Sequence, residues 1–150
     1  MPQSLSSILI HLVVSTKSRK PFIKPDIERE LFPYMATVFR NAGCPSLAID
    51  GTEDHLHMLF NLSRTKTVAN VVEEIKTSTS RWIKEKGPIY RHFHWQTGYG
   101  AFSIGQSQVL TVTNYIKRQK EHHHKRSFQD EMRLLLKKYD VKYDEKYVWD

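Results

Sequence analysis

The sequence has 150 residues, 39% of them apolar and 11% aromatic, which specifies one compact domain with a single core rather than a two-domain enzyme or a disordered chain. The lone Cys44 excludes an intrachain disulfide, and neither a charged-then-apolar leader nor a run of about 18 apolar residues is present; a reducing, cytoplasmic setting without membrane contact is expected. A net charge of +7, from 23 Lys plus Arg against 16 Asp plus Glu, favours a polyanionic partner without requiring one.

Ser7 to Ser15 is a short β-branched apolar run, which predicts a first strand, followed by the basic loop Thr16 to Pro21. Ile27, Leu31, Tyr34, Met35 and Val38 recur at helical spacing between Pro25 and Asn41, with Gly43 beyond the end, so a helix is expected there. Pro33 inside it predicts a kink or a split. Leu47 and Ile49, an Asp50-Gly51 turn and Asp54 to Phe60 read as two adjacent antiparallel strands.

A second helix is predicted from Thr67 to Lys86, with Val68, Val71, Val72, Ile75, Thr79 and Trp82 on one stripe and Gly87-Pro88 as its stop. Tyr99 to Ile104 alternates as a last strand. Gln106 to Lys125 reads as a third helix, and Phe128 to Tyr139 as a fourth with Met132, Leu135 and Leu136 inward. The order β-α-β-β-α-β-α-α indicates an α+β, ferredoxin-like antiparallel sheet with helices on one face and a helical C-terminal extension.

Side chains alternate across a strand, so His55 and His57 share one face while Leu56 enters the core on the other. Two adjacent imidazoles can hold a divalent ion, although two buried, hydrogen-bonded histidines give the same pattern. His92-Phe93-His94 repeats the triplet in a loop-like stretch, where surface or DNA-stacking roles are more natural. Tyr115 and Gln119 are adjacent on the third helix; Tyr115 packing into the core with a solvated Gln119 fits that spacing equally well. His122, His123 and His124 follow one turn later, where a helix end favours surface histidines.

Four ordered blocks carry a resemblance: Asp54-His55-Leu56-His57-Met58-Leu59, Val71 to Trp82, Trp95 to Ser103, and Tyr115-Ile116-Lys117-Arg118-Gln119-Lys120-Glu121-His122-His123. Together they resemble the single-tyrosine HUH transposases, the IS200-like, REP-associated group, along nearly the whole chain, so that residues 1–150 are expected to form a single HUH transposase domain. The resemblance implies that His55 and His57 are metal ligands, Gln119 the third ligand, and Tyr115 the nucleophile. Members of that family use magnesium or manganese to cut and rejoin single-stranded DNA at hairpin-marked element ends through a 5′-phosphotyrosine link, and work as homodimers, in many of which the tyrosine helix acts in trans. A phenol of reference pKa about 10 is a poor nucleophile at neutral pH, and a Lewis acid meets that need. Two histidines and an amide suit an open octahedral ion better than a closed zinc site.

Lys76 and Arg81 on the second helix, and Lys17, Arg19 and Lys20 after the first strand, are the candidate DNA-binding cations; His94, Trp95 and Tyr99 are candidate stacking groups, with a core place for Trp95 equally compatible with the sequence. Two other readings stay open: a relaxase or replication-initiator nickase of the same chemistry, and a non-catalytic ferredoxin-like nucleic-acid-binding module in which Tyr115 is core.

Overall fold

The computed structural model describes residues 3–122 and 126–149, with the His122 side chain excepted; His123 and His124 lie outside the described residues. Four antiparallel strands form one sheet in the order β2-β3-β1-β4, where β1 is Leu9–Ser15, β2 Ser46–Gly51, β3 His55–Asn61 and β4 Gly100–Ile104. This is the expected ferredoxin-like α+β architecture.

Helix α1, Pro25–Asn41, and α2, Val68–Lys84, cover the sheet face that carries Ile10, Leu12, Val14, Leu56, Met58 and Phe60. Helices α3, Val109–Lys117, and α5, Phe128–Lys138, cover the opposite face, packing on Leu9, Leu59, Val13 and Phe102. The helical extension therefore closes the face that the two earlier helices leave open. With both faces covered, every residue of β1 is buried, which is why its sequence is a continuous apolar run rather than an alternation.

Local chemistry fixes the helix ends. Pro25 stands in the first turn of α1, and Gly43, at φ 73°, closes its far end: Gly43 N–H donates to Arg40 O and Cys44 N–H to Phe39 O, satisfying two terminal carbonyls. The Thr67 and Ser127 side chains accept from Asn70 N–H and Asp130 N–H at the starts of α2 and α5.

Several expectations need correction. Helix α1 runs unbroken through Pro33, which lies on its exposed side. Asp50 and Gly51 are not a turn but the last residues of β2, paired with His57 and Leu56; the chain reverses over Thr52 to Asp54. The third helix is not continuous: Gln106–Gln108 form a 3-10 turn, α3 ends at Lys117, and Arg118, at φ −104° and ψ 21°, separates it from α4, Gln119–His122. Trp82 is half-buried, stacked on Tyr34 with ring centroids 5.6 Å apart, and Ile83 takes the fully buried place on the α2 stripe.

Candidate active site

The site lies on the sheet face covered by α3 and α5. Strand alternation turns His55 and His57 to that face, and both are fully buried (0% exposed). On the same face of β1, His11 lies diagonally across from His57, its Nε2 2.8 Å from His57 Nδ1. Helix α5 delivers Glu131, 2% exposed, whose Oε1 is 2.8 Å from His57 Nε2 and 3.4 Å from His55 Nε2. The other carboxylate oxygen accepts a hydrogen bond from the Tyr115 hydroxyl.

Gln119 is not a solvated helix residue. Its side chain is fully buried, with Oε1 3.3 Å from His55 Nε2. The break at Arg118 starts a new helical turn at Gln119, while Gln119 Nε2 still reaches back 3.5 Å to the Tyr115 carbonyl. Tyr115 is half-buried, with its ring 5.8 Å from that of His57 and 6.2 Å from that of His11. The four residues named from sequence thus meet in one place within one chain.

The outer partners orient these groups. Asp54 Oδ1 and Thr52 Oγ1 lie 2.8 and 2.9 Å from His55 Nδ1, an arrangement that holds the ring with Nε2 turned toward Glu131. Burial works against a charge on His55, but the Asp54 and Glu131 carboxylates outweigh it and hold its pKa above the ordinary histidine value. Burial, reinforced by His57, drives His11 down to about 3, so His11 is neutral across the physiological range and can either donate to or accept from His57. Burial first, then the bond to Glu131, raise the Tyr115 pKa well above the ordinary phenol value.

The donor set suits a divalent ion. One ligand atom each from His55, His57 and Glu131 lie within 4.8 Å of one another. An octahedral ion with bonds near 2.1 Å has neighbouring ligands about 3 Å apart, close to the separations of Glu131 from the two imidazoles. Imidazole and carboxylate are both accepted ligand types for such ions, and the carboxylate offsets one of the two charges of a buried dication.

Glu131, His11 and Asp54 were not assigned from sequence. The available signal for Glu131 was an acid on an apolar helical stripe with Phe128, Met132 and Leu135; for His11 it was a histidine between the buried Leu9 and Val13 of a strand. The remaining candidates lie elsewhere. Lys76 Nζ donates to the carbonyls of Gln96, Thr97 and Gly98 at 2.6, 3.2 and 2.8 Å, pinning the segment that leads into β4. Arg81 is exposed and, with Lys84, Ser80 and Thr97, borders a groove of about 550 Å³ beside α2. Lys17 and Lys20 are exposed and Arg19 half-buried, in a turn tied to the same segment by Lys17 N–H donating to His94 O at 2.9 Å. His92 and His94 are exposed and far in sequence from the buried cluster; Tyr99 is 45% exposed. Trp95 belongs to the core, its Nε1–H bonded to Thr79 Oγ1 at 2.9 Å, with one side bordering the α2 groove.

Comparison with known proteins agrees with this fold. The family described as IS200-like transposase matches residues 4–119. A solved structure of a candidate transposase from Deinococcus radiodurans R1 superposes with a TM-score of 0.62 at 17% identity, covering 77% of this chain and 93% of that one. A REP-associated tyrosine transposase bound to a REP hairpin gives a TM-score of 0.61 at 15% identity, covering 81% of this chain and 71% of the other. No curated protein matches at the same stringency.

Proposed function

We propose, from the premise that the chain belongs to the IS200-like transposase family, that it cuts and rejoins single-stranded DNA at hairpin-marked ends, with Tyr115 as nucleophile and a divalent ion at His55 and His57. The observation that carries this reading is the convergence of the Tyr115 hydroxyl and both imidazoles on one buried carboxylate, Glu131. A nucleophile and a metal-ligand set that share a hydrogen-bond partner are close enough to act on one phosphate.

Bound Mg²⁺ or Mn²⁺ would supply Lewis-acid polarisation of the scissile phosphate. His55, His57 and Glu131 are the ligands that the charge balance favours, with Gln119 in reach as a neutral fourth. Tyr115 Oη forms a bond to phosphorus on the 5′ side while the bond to the 3′ oxygen breaks and that oxygen takes a proton from water. Glu131, already the acceptor of the Tyr115 hydrogen bond, is suited to take the phenolic proton as the bond forms. The phosphotyrosine conserves the energy of the phosphodiester, so a later 3′ hydroxyl can attack and reseal without ATP. Residues 1–150 act as one domain in this reading.

Hairpin recognition falls to the α2 groove and the neighbouring basic turn, through Arg81, Lys17, Arg19 and Lys20, with Lys76 shaping the groove from within. A homodimer supplies two such sites for two element ends. Because Tyr115 stands against His57 of its own chain, action in cis is favoured over exchange of the tyrosine helix. Incubation of hairpin-bearing single-stranded DNA with the protein and Mg²⁺ or Mn²⁺ tests the reading: a covalent adduct that survives denaturation and is lost in Tyr115→Phe is expected. Binding without any adduct would return the protein to the non-catalytic module, and nicking without resealing to the nickase.

A further inference from the structure

The buried cluster has one member that reaches solvent. His55, His57 and Gln119 are fully buried and Glu131 nearly so, whereas Tyr115 is half-exposed. A cavity of about 200 Å³ between α3 and α5 is lined by both Tyr115 and Glu131, together with Thr111, Arg126, Lys138 and Tyr139. Arg126 and Lys138 add two cations to its lining; among the described residues the one acid in the wall is Glu131, already engaged with Tyr115 and His57.

We infer that this cavity is the entry subsite for the scissile strand, seating part of the nucleotide beside the reacting phosphate, with Arg126 and Lys138 neutralising its backbone. The inference rests on the proposed function and deepens it by assigning the path of the DNA to the reacting groups. The size sets what enters: at about 30 Å³ per water the space holds six or seven waters, enough for the base or the phosphate of one nucleotide but not for the whole of it, and is below the span of drug-sized pockets. The chemistry fits as well, since two cations beside a nucleophile attract a strand of phosphates and repel other cations. The α2 groove cannot serve as this route, because the sheet separates it from the histidines.

The test uses the full chain with an octathymidylate carrying one 5-iododeoxyuridine, in chelator, so that binding is read apart from chemistry. Each cation lost from a single strand lowers the log–log salt slope by about 0.7, so Arg126→Ala with Lys138→Ala is expected to lower it by about 1.4. If binding is equal at 1 M salt, that is about 25-fold weaker binding at 0.1 M. Photocrosslinks are expected at Tyr139 and its neighbours in the native chain and are expected to disappear in Thr111→Trp, which fills the cavity from an exposed helix position. An unchanged slope in the double variant, crosslinks confined to Tyr99 and the α2 groove, or no measurable binding of the oligonucleotide each overturns the inference. Crosslinks and slope as expected, with no Tyr115 adduct on any hairpin in metal, would sink the transposase reading and leave the subsite standing.

Discussion

Tyr115 and Glu131, 16 residues apart on two helices that meet over the sheet, are joined by a hydrogen bond from the phenol to the carboxylate. That bond ties the proposed nucleophile to the proposed metal site before any ligand arrives. Replacing Tyr115 by Phe is expected to abolish the DNA adduct while the ring keeps its place beside His57. Because Glu131 loses a donor in a buried setting, stability should also fall, by about 1–3 kcal/mol, read by urea denaturation. An adduct that persists would redirect the search to Tyr139, Tyr143 and Tyr147.

Metal binding should appear as thermal stabilisation. An ion that binds only the folded state adds about 2.7 kcal/mol at a hundred times its Kd, so Mn²⁺ or Mg²⁺ should raise Tm in a concentration-dependent way. His55→Ala and His57→Ala are expected to lose the shift and cleavage together, whereas His92→Ala and His94→Ala keep both. Glu131→Gln should weaken the shift more than Gln119→Ala, because only the first removes a negative ligand. Equal losses in these two variants would contradict the carboxylate's assignment.

Lys76 and Arg81 lie five residues, about 1.4 turns, apart on α2 and should behave differently. Arg81→Ala is expected to lower the salt slope of hairpin binding by about 0.7 with little change in stability. Lys76→Met removes the donor from three carbonyls at Gln96, Thr97 and Gly98, so it should cost about 1–3 kcal/mol and leave the slope unaltered. Calorimetry beside a salt titration separates the two, and a slope lowered by both would make Lys76 a phosphate contact after all.

Gly51 is the last residue of β2 and pairs with Leu56 of β3. A Cβ there would sit 2.2 Å from His55 O and 2.8 Å from Leu56 Cα, both backbone atoms that cannot move aside cheaply. Gly51→Ala is therefore expected to destabilise the fold by about 1–3 kcal/mol. Because the displaced strand carries His55, metal affinity should fall as well. A variant as stable as the native chain would mean that the β2 edge yields freely.

In acid, His11 is expected to make the fold less stable. Its pKa is about 3 in the folded chain against an unfolded value near 6.5, so unfolding takes up a proton across that window. Stability from this residue is complete above pH 6.5 and declines as pH falls toward 3. His11→Asn should flatten that part of the stability curve in metal-free protein, and an unaltered curve would assign the acid sensitivity to other groups.

The sequence by itself determined the elements and their order. Apolar periodicity of two and of 3.6, with Pro25, Gly43, Thr67 and the Gly87-Pro88 stop, is local information, and it marked the strands, α1, α2 and α5 to within a few residues. The pairing of His55 with His57 on one face also followed from strand geometry alone, and their identification with Tyr115 and Gln119 came from four ordered blocks of resemblance. Other features needed the tertiary structure, because they depend on contacts between distant segments. Periodicity across residues 106–125 carries no mark of the break at Arg118, since that break is tied to Gln119 meeting His55 from a helix 64 residues away. Glu131 reads as a charge at a helix start until α5 docks on the sheet and buries it between two imidazoles and a phenol. Lys76 reads as a phosphate-binding cation until the segment entering β4 folds back and presents three carbonyls to it. A charged side chain's role is set by the partners that share its burial, and chain spacing does not record them.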